Sequence, residues 1–530
     1  PQPEAEPLPP LEDLLPGLRP TSPSSLTAPE IPGTVIVDRF IVAGSTIFRA
    51  EELADQLAGL LGRPITFTEL LNAQTLLTDY YKDQGYLTSG AFIPPQPLNE
   101  GTVTVQIIEG RLEDVRITGL EHLKQSYIRR RLSQATQPPL NQNELLEALQ
   151  LLQLDPLIET LSVNLSAGTR PGLSILELEL DEAQPLVASL TLDNARSPSV
   201  GNIRRRADIT HQNLLGFGDA LSLSFTNTDG SNSLDGLSYT WPIDGRGGTI
   251  AFSHSRSRNA IIEDPFDVLD ITSRSRGYQL TYQQPLHKTP NTELGVSAIA
   301  SVQESQSFLG LDDIGGFPFS PGADNEGRTK VSALRLVGEY SRRSNRDVFA
   351  IRTQGSFGMP WFDASTSDID GIPDSRFFST RTQVQYLRLL APNVFLLLRS
   401  DLQWTPDDLL SLEEFAIGGV STVRGYRQDE LIGDNGFFAS AEVRFPLFKI
   451  PDWQTQLQLA PFFDIGQVWN SERDDELTQE RLASVGMGLS LSIGNRFQAR
   501  LDWGIPLIEV DTEADTLQEE GLHFTMSYQL

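Results

Sequence analysis

Residues 186–530 alternate between apolar and polar side chains with a period of two. In the run 485–493, every odd position is apolar and every even position is Gly or Ser. The runs 437–445, 497–505 and 522–530 show the same alternation. Because successive side chains of a β-strand point to opposite faces, the pattern predicts strands with one apolar and one polar face. We count sixteen candidate strands in this region.

The connections between these strands are alternately short and long. Short connections are predicted near 243–248, 286–291, 344–346, 390–392, 448–452 and 494–496, and long ones near 259–275, 305–328, 359–375, 406–435, 469–482 and 506–520. Outer-membrane barrels have short turns at one end and long loops at the other. The predicted strands, about 9–14 residues long, also suit the thickness of a bilayer. The pattern therefore favours a transmembrane β-barrel over a soluble β-sandwich.

Residues 33–182 have a different pattern, which occurs twice. In the first copy, strand signals near 35–42, 87–93 and 103–108 surround two segments with helical spacing, 50–61 and 67–84. The second copy repeats this β-α-α-β-β order, with a helix capped by Asn141 and Glu144 as its capping-box partner. The pattern predicts two small α+β domains, at 33–111 and 112–183, before the barrel at 186–530.

The N-terminal segment 1–32 is rich in proline and predicts a linker without a core of its own. The chain begins with Pro rather than Met, which we interpret as removal of a signal peptide or shortening of the chain.

Composition excludes several classes of protein. The chain of 530 residues contains no cysteine, so disulfide scaffolds, thiolate metal sites and cysteine nucleophiles are excluded. A formal net charge of −29 argues against nucleic acid as the partner, because phosphate contacts need clustered Lys and Arg. No apolar run approaches the roughly 18 residues of a spanning helix.

Acidic side chains are concentrated in long loops, notably 359–375 and 506–520. Solvated loops are the simplest interpretation. The alternative is a divalent cation, either bridging to anionic lipid or bound in a run such as 368–371.

A catalytic interpretation finds little support in the sequence. The five histidines show no HExxH spacing, and no GxSxG elbow, P-loop or dinucleotide fingerprint is present. We therefore predict no catalytic residue, metal ligand or cofactor, and no enzymatic activity.

Two short stretches stand out within the barrel region. Val423-Arg424-Gly425-Tyr426 lies in the longest loop, and Phe462-Phe463-Asp464-Ile465-Gly466 lies in the thirteenth strand. Strand parity places Asp464 on the polar, lumenal face. An inward-folded arginine would be a suitable bidentate partner for this carboxylate. The alternative is a turn arginine in solvent and one more lumenal acid, and the residues alone leave both interpretations open.

Together these features resemble the outer-membrane transporters of two-partner secretion, the relatives of the filamentous haemagglutinin and haemolysin exporters. Members of that family have two periplasmic POTRA domains and a sixteen-stranded barrel. They carry a VRG(Y/F) motif in the sixth extracellular loop and an FxDxG motif on a following inner strand. The resemblance implies that Val423, Arg424, Gly425 and Tyr426 form the loop motif and that Phe462, Asp464 and Gly466 form the strand motif. It also implies a salt bridge between Arg424 and Asp464.

The first α+β domain carries a further stretch that resembles the family's first POTRA domain. Its residues are Gly85, Tyr86, Leu87, Thr88, Ser89, Pro94, Pro95, Gln96, Gly101, Glu109, Gly110 and Arg111.

The function that the resemblance implies is protein export across the bacterial outer membrane. POTRA domains in the periplasm would recognise an unfolded partner, a large repetitive adhesin or haemolysin-like protein, and the barrel would pass it to the cell surface. We expect a monomer surrounded by outer-membrane lipid. The alternatives are a barrel-assembly insertase of the same superfamily and a passive porin with periplasmic binding modules.

Overall fold

The computed structural model describes residues 34–97, 101–369, 371–471, 479–510 and 516–530. The predicted linker at 1–32 lies outside the described residues. The chain divides into two compact units between Ala183 and Gln184.

The first unit contains two successive sets with the common order β-α-α-β-β, to which the first set adds two short strands, β1 and β3. The first set comprises β1 (Thr34–Ile36), β2 (Arg39–Ala43), α1 (Ala50–Asp55), β3 (Pro64–Thr66), α2 (Phe67–Asp83), β4 (Gly90–Phe92) and β5 (Thr102–Ile108). The second comprises β6 (Arg111–Thr118), α3 (Gln125–Leu132), α4 (Gln142–Gln153), β7 (Ile158–Ala167) and β8 (Leu173–Glu182).

The two sets share one sheet topology. Their three-stranded sheets have the orders β2-β5-β4 and β6-β8-β7. In each sheet the first of the three strands along the chain pairs in parallel with the last, and the second pairs with the last in antiparallel fashion. The repeat predicted from the sequence is therefore present as a repeated topology.

Three local predictions in this unit differ from the structure. The opening strand is divided, because Val35 pairs with Ile65 in a separate β1–β3 ladder and only β2 joins the main sheet. The helix predicted over 50–61 ends at Asp55 and is followed by a 3₁₀ turn, Ala58–Leu60, which contains Gly59 and precedes Gly62. Asn141 does cap α4, but the reciprocal capping box is found at Thr66 and Glu69 of α2.

Each set encloses its own apolar core. Leu53, Leu77 and Tyr81 are fully buried between the first sheet and its helices, and Ile128 and Leu176 are fully buried in the second. The helical spacing of these residues follows from the need to place one apolar stripe against a sheet. None of the described helices combines the length and the apolar composition required to cross a membrane.

The second unit is built from strands joined in sequence order. They are β9 (Leu186–Asp193), β10 (Arg204–His211), β11 (Ala220–Asn227), β12 (Ser231–Pro242), β13 (Thr249–Ala260), β14 (Ile271–Lys288), β15 (Thr292–Leu309), β16 (Gly315–Gly316), β17 (Arg328–Arg343), β18 (Asp347–Met359), β19 (Phe378–Ala391), β20 (Val394–Trp404), β21 (Phe415–Ile417), β22 (Leu431–Gly433), β23 (Asn435–Ile450), β24 (Thr455–Trp469), β25 (Arg481–Ile493), β26 (Phe497–Pro506) and β27 (Leu522–Gln529). Short 3₁₀ turns lie at Pro198–Val200, Asp267–Leu269, Leu311–Asp313 and Pro451–Trp453.

Sixteen of these described strands close an antiparallel barrel, in which β27 pairs with β9. Of the other three, β16 adds a short pairing to β15, and β21 and β22 form a hairpin inside a loop. The polar face is turned inward: Asp502 is 1 % exposed, whereas Leu501 and Trp503 are about half exposed on the outside. The predicted fold, a sixteen-stranded barrel after an α+β region, is confirmed.

Strand lengths differ from the predicted range. They extend from 8 residues in β9 to 18 in β14 and β15. The β14–β15 ladder continues to the pair Ile271 and Leu309, so part of what looks like loop in the sequence is hydrogen-bonded hairpin. The ends of these strands carry Ser, Thr and Arg and lack alternating apolar residues, so a pattern based on hydrophobicity does not detect them.

The acidic loop 359–375 contains ion pairs that its own composition does not reveal. Arg376, immediately after the loop, lies 2.7 Å from Asp374 and 3.7 Å from Asp368. Asp370 lies outside the described residues, as do 511–515 of the other acidic loop.

Candidate functional site in the barrel interior

The loop motif lies at the tip of the segment 405–434, which connects β20 to β23. Its arms form the β21–β22 hairpin, in which Phe415 pairs with Gly433 and Ile417 with Leu431. Gly418 and Gly419 follow β21 with φ of +111° and +90°, a region that favours glycine. This turn carries Val423 and Arg424 into the barrel, where they are 0 % and 2 % exposed.

Arg424 and Asp464 form a bidentate ion pair inside the barrel. Arg424 Nε lies 2.8 Å from Asp464 Oδ2, and Nη2 lies 3.0 Å from Oδ1. The backbone amide of Arg424 also donates to Asp464 Oδ2 over 3.2 Å. Asp464 is fully buried. The paired donors of a guanidinium match the two oxygens of a carboxylate, which makes this the geometry of a specific contact.

Further charged residues join this pair into one cluster. Arg424 Nη1 lies 2.7 Å from Glu442 Oε2 and 3.2 Å from Asp502 Oδ1. Arg500 bonds both acids, at 2.7 Å from each, and Arg444 bonds Glu442 over 2.7 Å. Three guanidinium groups therefore face three carboxylates, a balance that a buried site needs because an unpaired charge there is costly. We refer to Arg424, Arg444, Arg500, Glu442, Asp464 and Asp502 as the lumenal charge cluster.

Sequence reasoning identified only part of this cluster. The alternation over 497–505 puts Arg500 and Asp502 on the polar face of their strand, but it does not connect them or Glu442 with Arg424. The available signal was parity: Glu442 and Arg444 share the polar face of β23 with Ser440, whose hydroxyl lies 3.4 Å from Arg424 Nη2.

The remaining residues of the strand motif shape the surface under the arginine. The ring of Phe462 lies beneath the guanidinium, with Arg424 Cζ 3.4 Å from the ring centroid, a cation–π contact. Gly466 leaves room for the loop, since a Cβ there would lie 3.1 Å from side-chain atoms of both Ile417 and Val423. Both residues therefore fit the loop against the wall.

Gly425 and Tyr426 dock the other half of the loop motif. Gly425 has φ of +96°, and a Cβ on it would lie 2.9 Å from the carbonyl carbon of Gly504 in β26. Its amide donates to His523 Nε2 over 3.1 Å. The Tyr426 hydroxyl lies 2.7 Å from the carbonyl oxygen of Ala483. Sequence reasoning did not identify His523.

The base of the same loop has separate anchors. Asp434, fully buried, accepts hydrogen bonds from the amides of Leu409 over 2.8 Å and Ser471 over 3.1 Å. Glu413 forms an ion pair with Arg335 of β17. The loop is therefore attached to several strands at two levels.

A cavity of about 580 Å³ lies in the barrel interior beside the loop tip. Its lining includes Arg352, Arg399, Asp401, Ser421, Thr422 and Phe438. The lining combines apolar groups with polar side chains of both signs of charge.

In the first unit, residues of the POTRA-like stretch act as internal hydrogen-bonding groups. The Glu109 carboxylate accepts from the amide and hydroxyl of Thr46 over 2.7 and 2.6 Å. The side-chain amide of Gln96 bonds the backbone of Thr104 in both directions. Tyr81, whose hydroxyl donates to Ser45 over 2.6 Å, is shielded from water, and this burial raises its pKa to about 12.

The fold and this site define an outer-membrane transport protein with a POTRA region. Comparison with known proteins specifies the family. The model for "Haemolysin secretion/activation protein ShlB/FhaC/HecB" matches residues 172–491, and that for "POTRA domain, ShlB-type" matches residues 35–110.

Individual relatives are distant but extend over most of the chain. The outer membrane transporter CdiB of Escherichia coli O6:K15:H31 is 24 % identical, over 90 % of this chain and 79 % of its own. The heme/hemopexin transporter protein HuxB of Haemophilus influenzae is 23 % identical, over 88 % of this chain and 82 % of its own. The solved structure of CdiB from Escherichia coli matches with a TM-score of 0.72 and 21 % identity, over 96 % of this chain and 93 % of that one.

The chain belongs to the haemolysin secretion/activation protein family ShlB/FhaC/HecB. It is an outer-membrane transporter of two-partner secretion, as the sequence predicts, and its predicted location in the outer membrane is confirmed. Family membership favours this function over the barrel-assembly insertase and the passive porin.

Proposed function

We propose that the loop carrying Arg424 is a latch inside the export pore and that Asp464 holds it there. The observation that carries this proposal is the burial of Arg424, 2 % exposed, in a bidentate pair with Asp464. A loop that fills part of the lumen has to move or deform when a polypeptide passes. Ion pairs suit such a role, because each can be exchanged for contacts with water or with the passing chain.

The partner is a secreted protein that arrives unfolded, of the large repetitive adhesin or haemolysin-like kind. CdiB and HuxB are named as transporters, HuxB for heme/hemopexin, which supports a dedicated partner for this chain too. The outer strands β2, β6 and β7 of the two small sheets are suited to receive it. Strand addition there uses backbone hydrogen bonds and is tolerant of side-chain sequence.

In this proposal the domains are a linker at 1–32, POTRA domains at 33–111 and 112–183, and a barrel at 186–530. The match of the POTRA model to residues 35–110 supports the first boundary, and the repeated sheet order supports the second. The protein works as a monomer within outer-membrane lipid and without catalysis. Large apolar side chains on the outer face of the barrel support the contact with lipid.

Replacing either partner of the latch tests the proposal. We expect Arg424→Ala and Asp464→Ala to abolish most export of the secreted partner. In planar bilayers both variants should lengthen the open periods of a channel that is mostly closed in the wild type. Breaking a buried ion pair by removing one partner costs about 3–5 kcal/mol, which is enough to unseat a loop. Arg424→Lys should be intermediate, since an ammonium cannot make the bidentate contact.

The control is Arg352→Ala, which removes a lumenal arginine whose side chain is 36 % exposed in its pair with Glu339. It should export normally. Heat-modifiable migration in gels verifies that each variant is inserted as a folded barrel. Wild-type export by both Arg424→Ala and Asp464→Ala would refute the latch.

A further inference from the structure

His523 lies at the end of the lumenal charge cluster and has no part in the latch described above. It is on β27 and fully buried. Its register partner on β26 is Asp502, one of the cluster acids. A buried histidine beside a functional loop either fills space or supports the loop, and its hydrogen bonds distinguish the two roles.

The bond from Gly425 fixes the protonation state of His523. A backbone amide can only donate, so Nε2, 3.1 Å away, must accept and therefore carries no proton. The ring is then neutral, with its proton on Nδ1. That atom is buried and has no hydrogen-bond partner within the described part of the chain.

The bond to His523 helps to fix the position of Gly425, whose amide donates to the ring over 3.1 Å. Gly425 has no side chain, and its backbone is already in contact with Gly504. Arg424 precedes it directly, so a shift of the Gly425 amide moves the guanidinium out of its bidentate geometry.

Protonation would reverse the interaction at Nε2. The ring would then present an N–H to the N–H of Gly425, replacing an attraction by a repulsion. It would also add a positive charge to a cluster whose charges are balanced. The charged groups facing His523 are Arg424 on the loop, Asp502 and Arg500 on β26, Asp464 on β24, Glu442 and Arg444 on β23, and, on the side of β9, Asp193 with its partner Arg204.

We infer that His523 is a positioning residue for the loop motif, which it holds as a neutral acceptor and releases when protonated. The inference concerns the position of the loop, and only its consequence for export rests on the proposed latch. Histidine is the side chain whose charge ordinarily changes between about pH 5 and 8. Burial disfavours the charged form of the ring, so acid below this range should be needed to protonate His523 and loosen the loop tip.

Spin-label distances measure this position directly. The chain has no cysteine, so Ser421→Cys at the loop tip and Asp452→Cys in a short turn give a single defined pair in the full-length protein. We expect one narrow distance at pH 7.5 and its loss at pH 3.5. His523→Gln, which retains an acceptor but does not titrate, should retain the narrow distance at both values. His523→Ala should lose it at both.

The control is His287→Gln, since His287 is exposed on β14; it should respond to pH as the wild type does. An unchanged wild-type distance at pH 3.5 would overturn the inference, as would an equal response of wild type and His523→Gln. If His523→Ala does not fold, the comparison of wild type with His523→Gln still decides. The latch is tested separately, because normal export by both Arg424→Ala and Asp464→Ala would refute it without bearing on the distances measured in the wild type and the His523 variants.

Discussion

The two compact units bury opposite kinds of side chain. In the α+β unit, the cores around Leu77 and Leu176 consist of apolar residues. In the barrel, the largest side chain that is less than 2 % exposed is that of Arg424. Every buried charged side chain among the described residues lies in the barrel: Asp193, Asp219, Asp401, Arg424, Asp434, Glu442, Asp464 and Asp502.

This difference reflects where each unit obtains its stability. The small sheets have open edges and depend on the apolar area that their helices cover. The barrel has no open edge, since its ladder closes through β9 and β27, and in lipid that closure satisfies the backbone. Its interior is therefore free to hold charges, and a loop can be seated there by ion pairs. Core substitutions should accordingly unfold the first unit, and charge substitutions should release loops in the second without unfolding it.

The largest effect is expected from emptying a small core. Leu77→Ala removes a fully buried side chain and should lower the free energy of unfolding of the first set by about 2–5 kcal/mol. Urea unfolding followed by helical circular dichroism measures this unit, because all four described α-helices belong to it. The neighbour Leu76, 47 % exposed, is the matched control, and Leu76→Ala should cost much less. Equal losses would contradict the assignment of this core.

A smaller effect is expected at the base of the loop. Glu413→Gln leaves Arg335 about nine-tenths buried without its counter-charge and should weaken the attachment of 405–417 by about 1–3 kcal/mol. Hydrogen exchange should rise there, while the barrel migrates in gels as a folded species. The exposed pair of Glu293 with Lys288 provides the comparison: Glu293→Gln should leave exchange unchanged. Global loss of the folded barrel in Glu413→Gln would mean that interior charges do support the fold, against the distinction drawn above.

The smallest effect concerns a helix cap in the first unit. The Thr66 hydroxyl accepts from the amide of Glu69 over 3.2 Å, and Thr66→Ala should cost about 1 kcal/mol in the same urea assay. Thr75, exposed within α2, is the control. Thr75→Ala should be neutral or slightly stabilising, because alanine has the higher helix propensity. If both substitutions destabilised equally, the cap would have no specific role.

The fold was predictable because lipid and lumen impose a period of two along every spanning strand. That same parity placed Asp464 on the inner face, and the family resemblance supplied Arg424 as its partner. The repeated β-α-α-β-β order was predictable for a similar reason, since each helix must cover a sheet with one apolar stripe. Strand ends such as those of β14 and β15 were missed, because ladder hydrogen bonds continue after the hydrophobic alternation has ended.

The full charge cluster was not predictable from local pattern. Glu442, Asp464 and Asp502 lie on three different strands, and each alone looks like an ordinary lumenal acid. They meet because the registers pair Ser440 with Asp464 and Gly488 with Asp502. Register depends on turn lengths and on the bulge between Pro446 and Phe448, which alternation does not encode. His523 gave only one signal, its even position on the polar face of the last strand.

The lumenal charge cluster balances three positive against three negative groups. This balance bears on how the protein responds to the salt concentration outside the cell. Dissolved salt screens exposed charges over about 8–10 Å at ordinary ionic strength, but it acts far less on pairs that water does not reach. Arg276, more than half exposed in its pair with Glu304, belongs to the first kind, and Arg424 belongs to the second. The buried ion pairs that hold the loop should therefore depend little on the salt concentration. A change of salt concentration should affect the exposed ion pairs of this protein and leave the position of the loop unchanged.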